Sequence, residues 1–277
     1  MKTILFPTDF SKNAIHASEY AGLLAKKFDA KVVLLHAFSI PMVPATHTSY
    51  NVRFAIESYR TTLTKDLEKF AEKFIKASSL SEDSVTSKIE YGFPADIILE
   101  VAKDIHADMI VIGTKGASNF LDKWLGTNTQ KVVKETDCPV WVIPYKAKIE
   151  YPENILYAAD FQEDEVIALH KLLWLTEPLN ASCHIVHIND FFEVYSEAPS
   201  KDMVHFLNDE FEDEDITFQN INSEGVIAGL ESYITRHKPN LLALAIHEKS
   251  FWSKIFDESI TKHFVQEAKL PMLIFKK

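Results

Sequence analysis

Residues 4–10 read ILFPTDF, and residues 155–161 read ILYAADF, 151 positions further along the chain. Each stretch is an apolar run of strand length that ends at an aspartate followed by a phenylalanine. His36 and His187 lie in the next apolar stretch of each half and are separated by the same 151 positions. We therefore predict a tandem repeat of one unit of about 140 residues, which is the size of a domain rather than of a solenoid repeat.

Apolar strands alternate with amphipathic helices in the first copy. The predicted strands are residues 3–7, 31–37, 84–91, 109–112 and 140–143, and the predicted helices are residues 11–28, 56–74, 95–105 and 127–136. This alternation is typical of an α/β protein with a parallel sheet. We predict two tandem doubly wound domains, residues 1–146 and 152–277. Each is expected to hold a five-stranded parallel sheet of order 3-2-1-4-5 with helices on both faces.

Composition excludes several classes of protein. The formal net charge is −11, which argues against a general binder of nucleic acid or of anionic membranes. Two cysteines, Cys138 and Cys183, are too few for a disulfide scaffold or a four-thiolate zinc site. Residues 1–9 hold no signal-peptide core, and no run approaches 18 apolar residues. These observations favour a reduced, cytoplasmic location.

The chain has only seven glycines, and three of them, Gly113, Gly116 and Gly126, fall within fourteen residues. Such a cluster predicts that bare backbone is needed there, so that the main chain can approach a ligand without a Cβ. In doubly wound sheets, ligands bind at the carboxyl ends of the strands where the strand order reverses. For the predicted order, that place lies between residues 7–9 at the end of strand 1 and residues 112–113 at the end of strand 4.

The second loop carries features that suit phosphate. Gly126 precedes a predicted helix, whose free N–H groups and positive dipole end attract anions. The Thr127 hydroxyl can cap that helix or bind a phosphate oxygen, Asn128 adds amide donors, and Lys115 adds positive charge. Asp9 would repel phosphate, so we place it beside the base or the ribose of a nucleotide. The loop lacks the Gly-Lys-Ser/Thr sequence of a Walker A motif.

These motifs resemble the universal stress protein family. The resemblance rests on PTDFS at residues 7–11, on G-x-P-A at residues 92–95 and on G-x2-G-x9-G-T at residues 113–127, and it covers residues 1–146. It implies an ATP site in which the end of strand 1 and Ala37 hold the adenosine and the glycine loop holds the ribose and phosphates. The candidate binding residues are Pro7, Thr8, Asp9, Ala37, Ile112, Gly113, Lys115, Gly116, Gly126, Thr127 and Asn128.

The same resemblance implies how the protein assembles and what it does. ATP would bring any Mg²⁺ on its phosphates. Domains of the family pair through their last strands, so residues 139–144 can meet residues 271–275 within one chain, and a homodimer is a further possibility. The implied function is a nucleotide-responsive stress or regulatory module that acts on an unidentified protein partner.

The second copy departs from the nucleotide-binding pattern. At an offset of 132 residues, the three loop glycines are replaced by Ala245, Glu248 and Glu258. Residues 7–8, Pro-Thr, are replaced by two alanines. Because glutamates repel phosphate, we predict that the second domain has lost the nucleotide site and that each chain binds one nucleotide.

Other interpretations remain open from the sequence. The protein could be a slow ATPase or phosphotransferase, although no residue is predicted to be catalytic, or a ligand-free dimerisation scaffold with a purely structural glycine loop. The sequence Cys183-His184-x-x-His187 has the composition of a metal site. On a strand, however, His184 and His187 point to opposite faces, so we assign no metal site.

Overall fold

A computed structural model describes residues 2–39, 49–114, 126–160, 165–190, 209–211, 215–246 and 270–277. The chain divides into two compact units, Met1–Tyr145 and Lys146–Lys277. Within the described residues, each unit contains five strands, and all of the strand pairs within each unit are parallel.

The first unit has the predicted doubly wound topology. Its strands are β1 (Lys2–Pro7), β2 (Ala30–Phe38), β3 (Val85–Tyr91), β4 (Met109–Gly113) and β5 (Val140–Ile143), and its helices are α1 (Lys12–Lys27), α2 (Ser49–Ser78), α3 (Pro94–Asp104) and α4 (Thr127–Glu135). The strand order is β3-β2-β1-β4-β5. The sequence-based prediction of a parallel sheet of order 3-2-1-4-5 is confirmed.

Burial explains why these runs form central strands. Ile4, Leu5 and Phe6 follow one another in β1 and are all fully buried, so both faces of the strand are covered. The helix α1 packs against α2, and α3 packs against α4, which supplies a helical layer for each face of the sheet. Ser11 caps α1, because its side chain accepts a hydrogen bond from the N–H of Ala14 at 3.2 Å.

The second unit repeats this order. Its described strands are β6 (Asn154–Ala159), β7 (Ser182–Asp190), β8 (Ile216–Ser223), β9 (Leu241–Ile246) and β10 (Met272–Lys276), and its described helices are α5 (Glu165–Thr176) and α6 (Val226–His237). The strand order is β10-β9-β6-β7-β8. Because β6 and β9 are neighbours, as β1 and β4 are, each unit has one point where the strand order reverses.

Candidate functional site

The turn after β1 is held by short-range hydrogen bonds. The Thr8 hydroxyl accepts a bond from the backbone N–H of Phe10 at 3.1 Å, and the Asp9 carboxylate accepts one from the N–H of Ser11 at 3.0 Å. Phe10 adopts a left-handed backbone conformation with φ of 61°. Because these side chains bind nearby backbone groups, the strand stops here and the chain reverses into α1. The turn is therefore a defined part of the site rather than a loose loop.

The loop after β4 returns to the sheet at the start of α4. The N–H of Gly126 donates to the carbonyl of Thr114 at 2.6 Å, and the Thr129 hydroxyl donates to the carbonyl of Gly113 at 3.0 Å. Residues 115–125, which join these two points along the chain, lie outside the described residues. The two bonds hold the first turn of α4 against the end of β4.

The N-terminus of α4 has no side-chain cap within the part of the chain that the structure describes. The capping position is Gly126, and no side chain of the described residues accepts a hydrogen bond from the first turn. Of the two roles that the sequence leaves open for the Thr127 hydroxyl, capping of this helix does not occur, because Thr127 is already the first helical residue. Backbone N–H groups in a first helical turn have no partner within the helix, and the helix dipole adds positive potential there. This helix end can therefore receive an anion.

A cavity of about 230 Å³ lies between the two loops. Nine of the eleven predicted binding residues line it: Pro7, Thr8, Asp9, Ala37, Ile112, Gly113, Gly126, Thr127 and Asn128. The other two, Lys115 and Gly116, lie outside the described residues. The cavity sits at the carboxyl ends of β1 and β4, as the strand order requires.

The cavity also has walls that the sequence reasoning missed. They are formed by Ala14, Leu35, Pro94, Ile98 and Thr129. Leu35 lies two residues before Ala37 on β2, and residues two apart on a strand share a face, so this neighbour could have been found from the pattern. Pro94 belongs to the quoted G-x-P-A motif, but the start of α3 was not placed at the cavity. These additions are mostly apolar, and they give the cavity a hydrophobic wall.

The physical reason expected for Gly113 is not the one that the structure supports. A Cβ added at Gly113 would come within 3.4 Å of the carbonyl oxygen of Asn13 and within 3.6 Å of the Cβ of Ala17. Both atoms belong to α1, so the missing side chain faces that helix rather than a ligand. These separations are ordinary van der Waals contacts, and the second unit carries Ala245 at the equivalent position. The structure therefore gives no steric reason for a glycine at position 113, where an alanine would fit.

The charge of the cavity is uneven. Among the described residues that line it, Asp9 is the only charged one, and it is exposed. Thr8, Thr127 and Asn128 add uncharged polar groups. A ligand in this cavity would meet a carboxylate at the end of β1 and the positive end of a helix dipole at α4.

The histidine-containing motif of the second unit is divided between different partners. The Nδ1 atom of His184 lies 2.8 Å from the hydroxyl of Thr217 on β8, whereas the Nδ1 atom of His187 lies 3.0 Å from the carbonyl of Ala159 on β6. Burial raises the pKa of the Cys183 thiol to about 12, which disfavours the thiolate that binds metals. No group of three metal-binding side chains occurs among the described residues.

In the second unit, the end of β6 carries a buried ion cluster. The Lys277 ammonium lies 2.7 Å from the Asp160 carboxylate and 2.8 Å from the Glu165 carboxylate, and the three side chains are at most 8% exposed. Asp160 and Glu165 are equivalent to Asp9 and Ala14, which line the cavity of the first unit. Charged side chains of the chain itself thus lie where the first unit has cavity-lining residues.

Burial and the charges within this cluster have opposing effects on the pKa values of Glu165 and Lys277. Burial raises the pKa of Glu165 to about 7, although the Lys277 charge acts in the opposite direction. For Lys277, burial alone would lower the pKa, but the charges of Glu165 and Asp160 and their hydrogen bonds outweigh it and raise the pKa. Burial and the Glu165 carboxylate also raise the pKa of the Tyr157 phenol well above its ordinary value. Glu165 is therefore the member that titrates near neutral pH.

We expect the contribution of Glu165 to the stability of the second unit to fall by about 2 kcal/mol between pH 5 and pH 8. The raised pKa of Glu165 means that the folded state binds its proton more tightly than the unfolded state. Its contribution is fully present below the unfolded value of 4.5 and is lost as the pH rises through about 7. Glu165→Gln should remove most of this pH dependence in urea unfolding, whereas Glu177→Gln, at an exposed position, should not. An unchanged pH slope in Glu165→Gln would contradict the assignment.

No helix among the described residues is both long and apolar enough to cross a membrane.

A sequence profile of the universal stress protein family matches residues 1–144. A universal stress protein of Methanocaldococcus jannaschii is 30% identical over 146 residues, which are 51% of this chain and 81% of that protein. Another, from Thermus aquaticus, is 32% identical over 142 residues, which are 51% of this chain and 98% of that protein.

A solved structure extends the likeness to both units. The crystal structure of a universal stress protein from Archaeoglobus fulgidus covers 99% of this chain and 96% of its own, with a TM-score of 0.74 and 16% identity. This likeness shows that the two chains share the fold over their whole length. The profile match over residues 1–144 and the 30% identity to the Methanocaldococcus jannaschii protein lead to one conclusion: the chain belongs to the universal stress protein family.

Proposed function

We propose that the chain binds ATP in the cavity of its first unit and acts as a nucleotide-responsive stress or regulatory protein. The observation that carries this proposal is that one cavity joins the polar turn after β1 to the N-terminus of α4, which no side chain of the described residues caps. A nucleotide needs one surface for its base and ribose and a separate, electropositive place for its phosphates. The cavity offers both.

The phosphate end of the proposed site is the start of α4. The first-turn N–H groups of this helix and the positive end of its dipole favour an anion, and the Thr127 hydroxyl and the Asn128 amide add hydrogen-bond donors. In this proposal, Mg²⁺ comes with the phosphates of ATP. Lys115, outside the described residues, would add charge to the same end.

The adenosine end of the proposed site is the turn after β1 together with the apolar wall. Asp9 would repel phosphate, but its carboxylate can accept hydrogen bonds from the hydroxyl groups of a ribose. Ala37, Ile98 and Ile112 supply the apolar surface against which a base can pack. The charge distribution thus supports one orientation of the nucleotide, with the ribose towards β1 and the phosphates towards α4.

The second unit is not proposed to bind a nucleotide. The position equivalent to the cavity-lining Ala14 is Glu165, whose carboxylate is buried against Lys277. Negative side chains replace two of the three loop glycines. These replacements support one nucleotide site per chain.

Titration calorimetry tests the stoichiometry directly. The purified chain with ATP and Mg²⁺ is expected to give one site per chain and a Kd below about 1 mM. Extraction of nucleotide from the freshly purified protein provides an independent count. Two sites per chain would contradict the assignment to the first unit alone. Failure of both ATP and ADP to bind with a Kd below about 1 mM would contradict the proposal itself.

Three parts of the hypothesis stay predictions. They are the pairing of domains through their last strands, with a homodimer as its extension, the unidentified protein partner, and the cytoplasmic location. A regulatory role of the nucleotide would require that ATP changes the affinity for that partner by a measurable factor.

A further inference from the structure

His36 lies behind the turn that follows β1. It belongs to β2 and is 8% exposed, and its Nδ1 atom lies 2.7 Å from the carbonyl oxygen of Thr8. Because a carbonyl oxygen can only accept a hydrogen bond, Nδ1 must carry the proton in this contact. Burial lowers the pKa of His36, and the bond to Thr8 and the charges of Asp9 and Asp66 only partly oppose this effect. The neutral imidazole is therefore the form that holds the Thr8 carbonyl at neutral pH.

The His36 imidazole also contacts the turn at a second place, where it packs against the ring of Phe10. The Phe10 ring stacks on it with a centroid distance of 4.4 Å and an interplanar angle of 24°, and the Phe10 ring also meets the edge of Phe70 at 5.9 Å. A left-handed backbone conformation is unfavourable for a bulky residue such as Phe10 and persists only where its surroundings hold it. Ring packing on His36 and Phe70 holds it here, together with the hydrogen bond from the Phe10 N–H to the Thr8 hydroxyl.

Between these two supported residues lies Asp9. Thr8 and Asp9 both line the cavity, whereas His36 does not. His36 therefore holds one residue on each side of the Asp9 carboxylate, by a hydrogen bond on one side and by ring stacking on the other. Displacing either contact would move the carboxylate relative to the cavity.

The second unit contains the same hydrogen bond between a histidine and a backbone carbonyl, but no nucleotide site is proposed there. In the second unit, the Nδ1 atom of His187 lies 3.0 Å from the carbonyl oxygen of Ala159, and both residues occupy the positions equivalent to His36 and Thr8. His187 is also buried, at 5% exposed. The chain thus supplies a matched histidine whose loss should affect folding in a similar way but should not alter a nucleotide site in the first unit.

We propose that His36 is a positioning residue of the nucleotide site, which orients Asp9 through its hydrogen bond to Thr8 and its stacking on Phe10. This inference rests on the proposed function. It assigns to His36 no contact with the nucleotide and no proton transfer. Its effect on affinity is indirect and passes through the turn.

Two substitutions of His36 test its hydrogen bond to Thr8 and its stacking on Phe10 separately. His36→Phe keeps a ring beneath Phe10 but leaves the Thr8 carbonyl without its donor, and it should raise the Kd for ATP about tenfold. His36→Asn keeps an amide donor near the position of Nδ1 but loses the ring, and it should raise the Kd about threefold. The matched variants His187→Phe and His187→Asn should change the Kd for ATP by less than about twofold, although they also lower the stability of the protein.

The Kd values are measured by titration calorimetry on the full chain. ATP binding by His36→Phe and His36→Asn as tight as that of the unchanged protein would overturn the inference. An equal loss of affinity in the His187 variants would also overturn it, because the effect would then reflect general destabilisation. If His36→Phe does not fold, the comparison of His36→Asn with His187→Asn decides the question.

Hydrogen exchange distinguishes failure of this inference from failure of the proposed function. The N–H groups of Phe10 and Ser11 are held by the Thr8 and Asp9 side chains, so their exchange reports the state of the turn. If the unchanged protein does not bind ATP, the proposed function fails. Faster exchange at these two amides in His36→Phe but not in His187→Phe would still support the positioning of the turn, and unchanged exchange would overturn it.

Discussion

Replacing Lys277 with methionine is expected to lower the free energy of unfolding of the second unit by about 3 kcal/mol at pH 8. The Lys277 ammonium neutralises Asp160 and Glu165 at 2.7 and 2.8 Å, and these side chains are almost fully buried. Methionine keeps most of the side-chain volume but leaves two carboxylates without their cation. At pH 5 the loss should be smaller, because Glu165, with its pKa raised to about 7, is then protonated.

A double-mutant cycle tests whether the loss of stability in Lys277→Met comes from the ion pair between Lys277 and Glu165. The variant that combines Lys277→Met with Glu165→Gln should be more stable than the sum of the two single changes predicts, because it removes a buried charge together with its partner. Lys148→Met, at an exposed position in the same unit, serves as the control. Urea unfolding, with hydrogen exchange in β6 and β10 to locate the change, provides the measurement. A loss of less than about 1 kcal/mol in Lys277→Met would show that the cluster contributes little.

The order of the strands could be predicted from the sequence because the buried strands are continuous apolar runs. β1 and β4 are buried on both faces, so period-2 alternation is absent and a parallel sheet is favoured. The repeated ILFPTDF and ILYAADF stretches then carried the same order into the second half. The connection rules for parallel strands restrict the possible strand orders without information about side-chain contacts.

The ends of helices were harder to predict because this chain uses so little glycine. Left-handed residues after the helices are usually glycine, but here Asp29, Ser79, His106 and Lys238 adopt positive φ values between 47° and 53° after α1, α2, α3 and α6. Asp, Asn and His tolerate this conformation better than most residues, but Ser and Lys give no such signal. α2 runs over Ser49–Ser78 and so extends beyond the predicted 56–74 at both ends.

The backbone of the candidate site could be predicted, whereas several side-chain contacts could not. The loops after β1 and β4 had to meet once the strand order was known. The Lys277 cluster joins residues 112 and 117 positions apart, and no local pattern connects them. Extending the 151-residue comparison from Asp9 by five positions would have shown a glutamate, Glu165, in place of Ala14. The hydrogen bond of His36 likewise depends on the side-chain direction in β2.

Replacing Gly126 with glutamate is expected to weaken ATP binding at least hundredfold. Gly126 has φ of −61° and ψ of 147°, which any residue can adopt, so the backbone does not require glycine there. A carboxylate at the N-terminus of α4 interacts favourably with the helix dipole, and the fold should persist. The same carboxylate would face the phosphates of ATP, and repulsion between like charges about 4 Å apart amounts to about 4 kcal/mol near a protein surface. The second unit already carries Glu258 at the equivalent position.

Titration calorimetry with ATP and with adenosine distinguishes charge repulsion by the new glutamate from steric blocking of the cavity. Gly126→Ser adds a side chain without charge at a capping position, so it should bind ATP within about threefold of the unchanged protein and should stabilise α4. Adenosine has no phosphate, so Gly126→Glu should bind adenosine as well as the unchanged protein does. Equal loss of ATP and adenosine binding would mean that the glutamate blocks the cavity. Unchanged ATP binding would mean that the phosphates do not lie at α4, because a carboxylate at that helix end could not be neutral towards them.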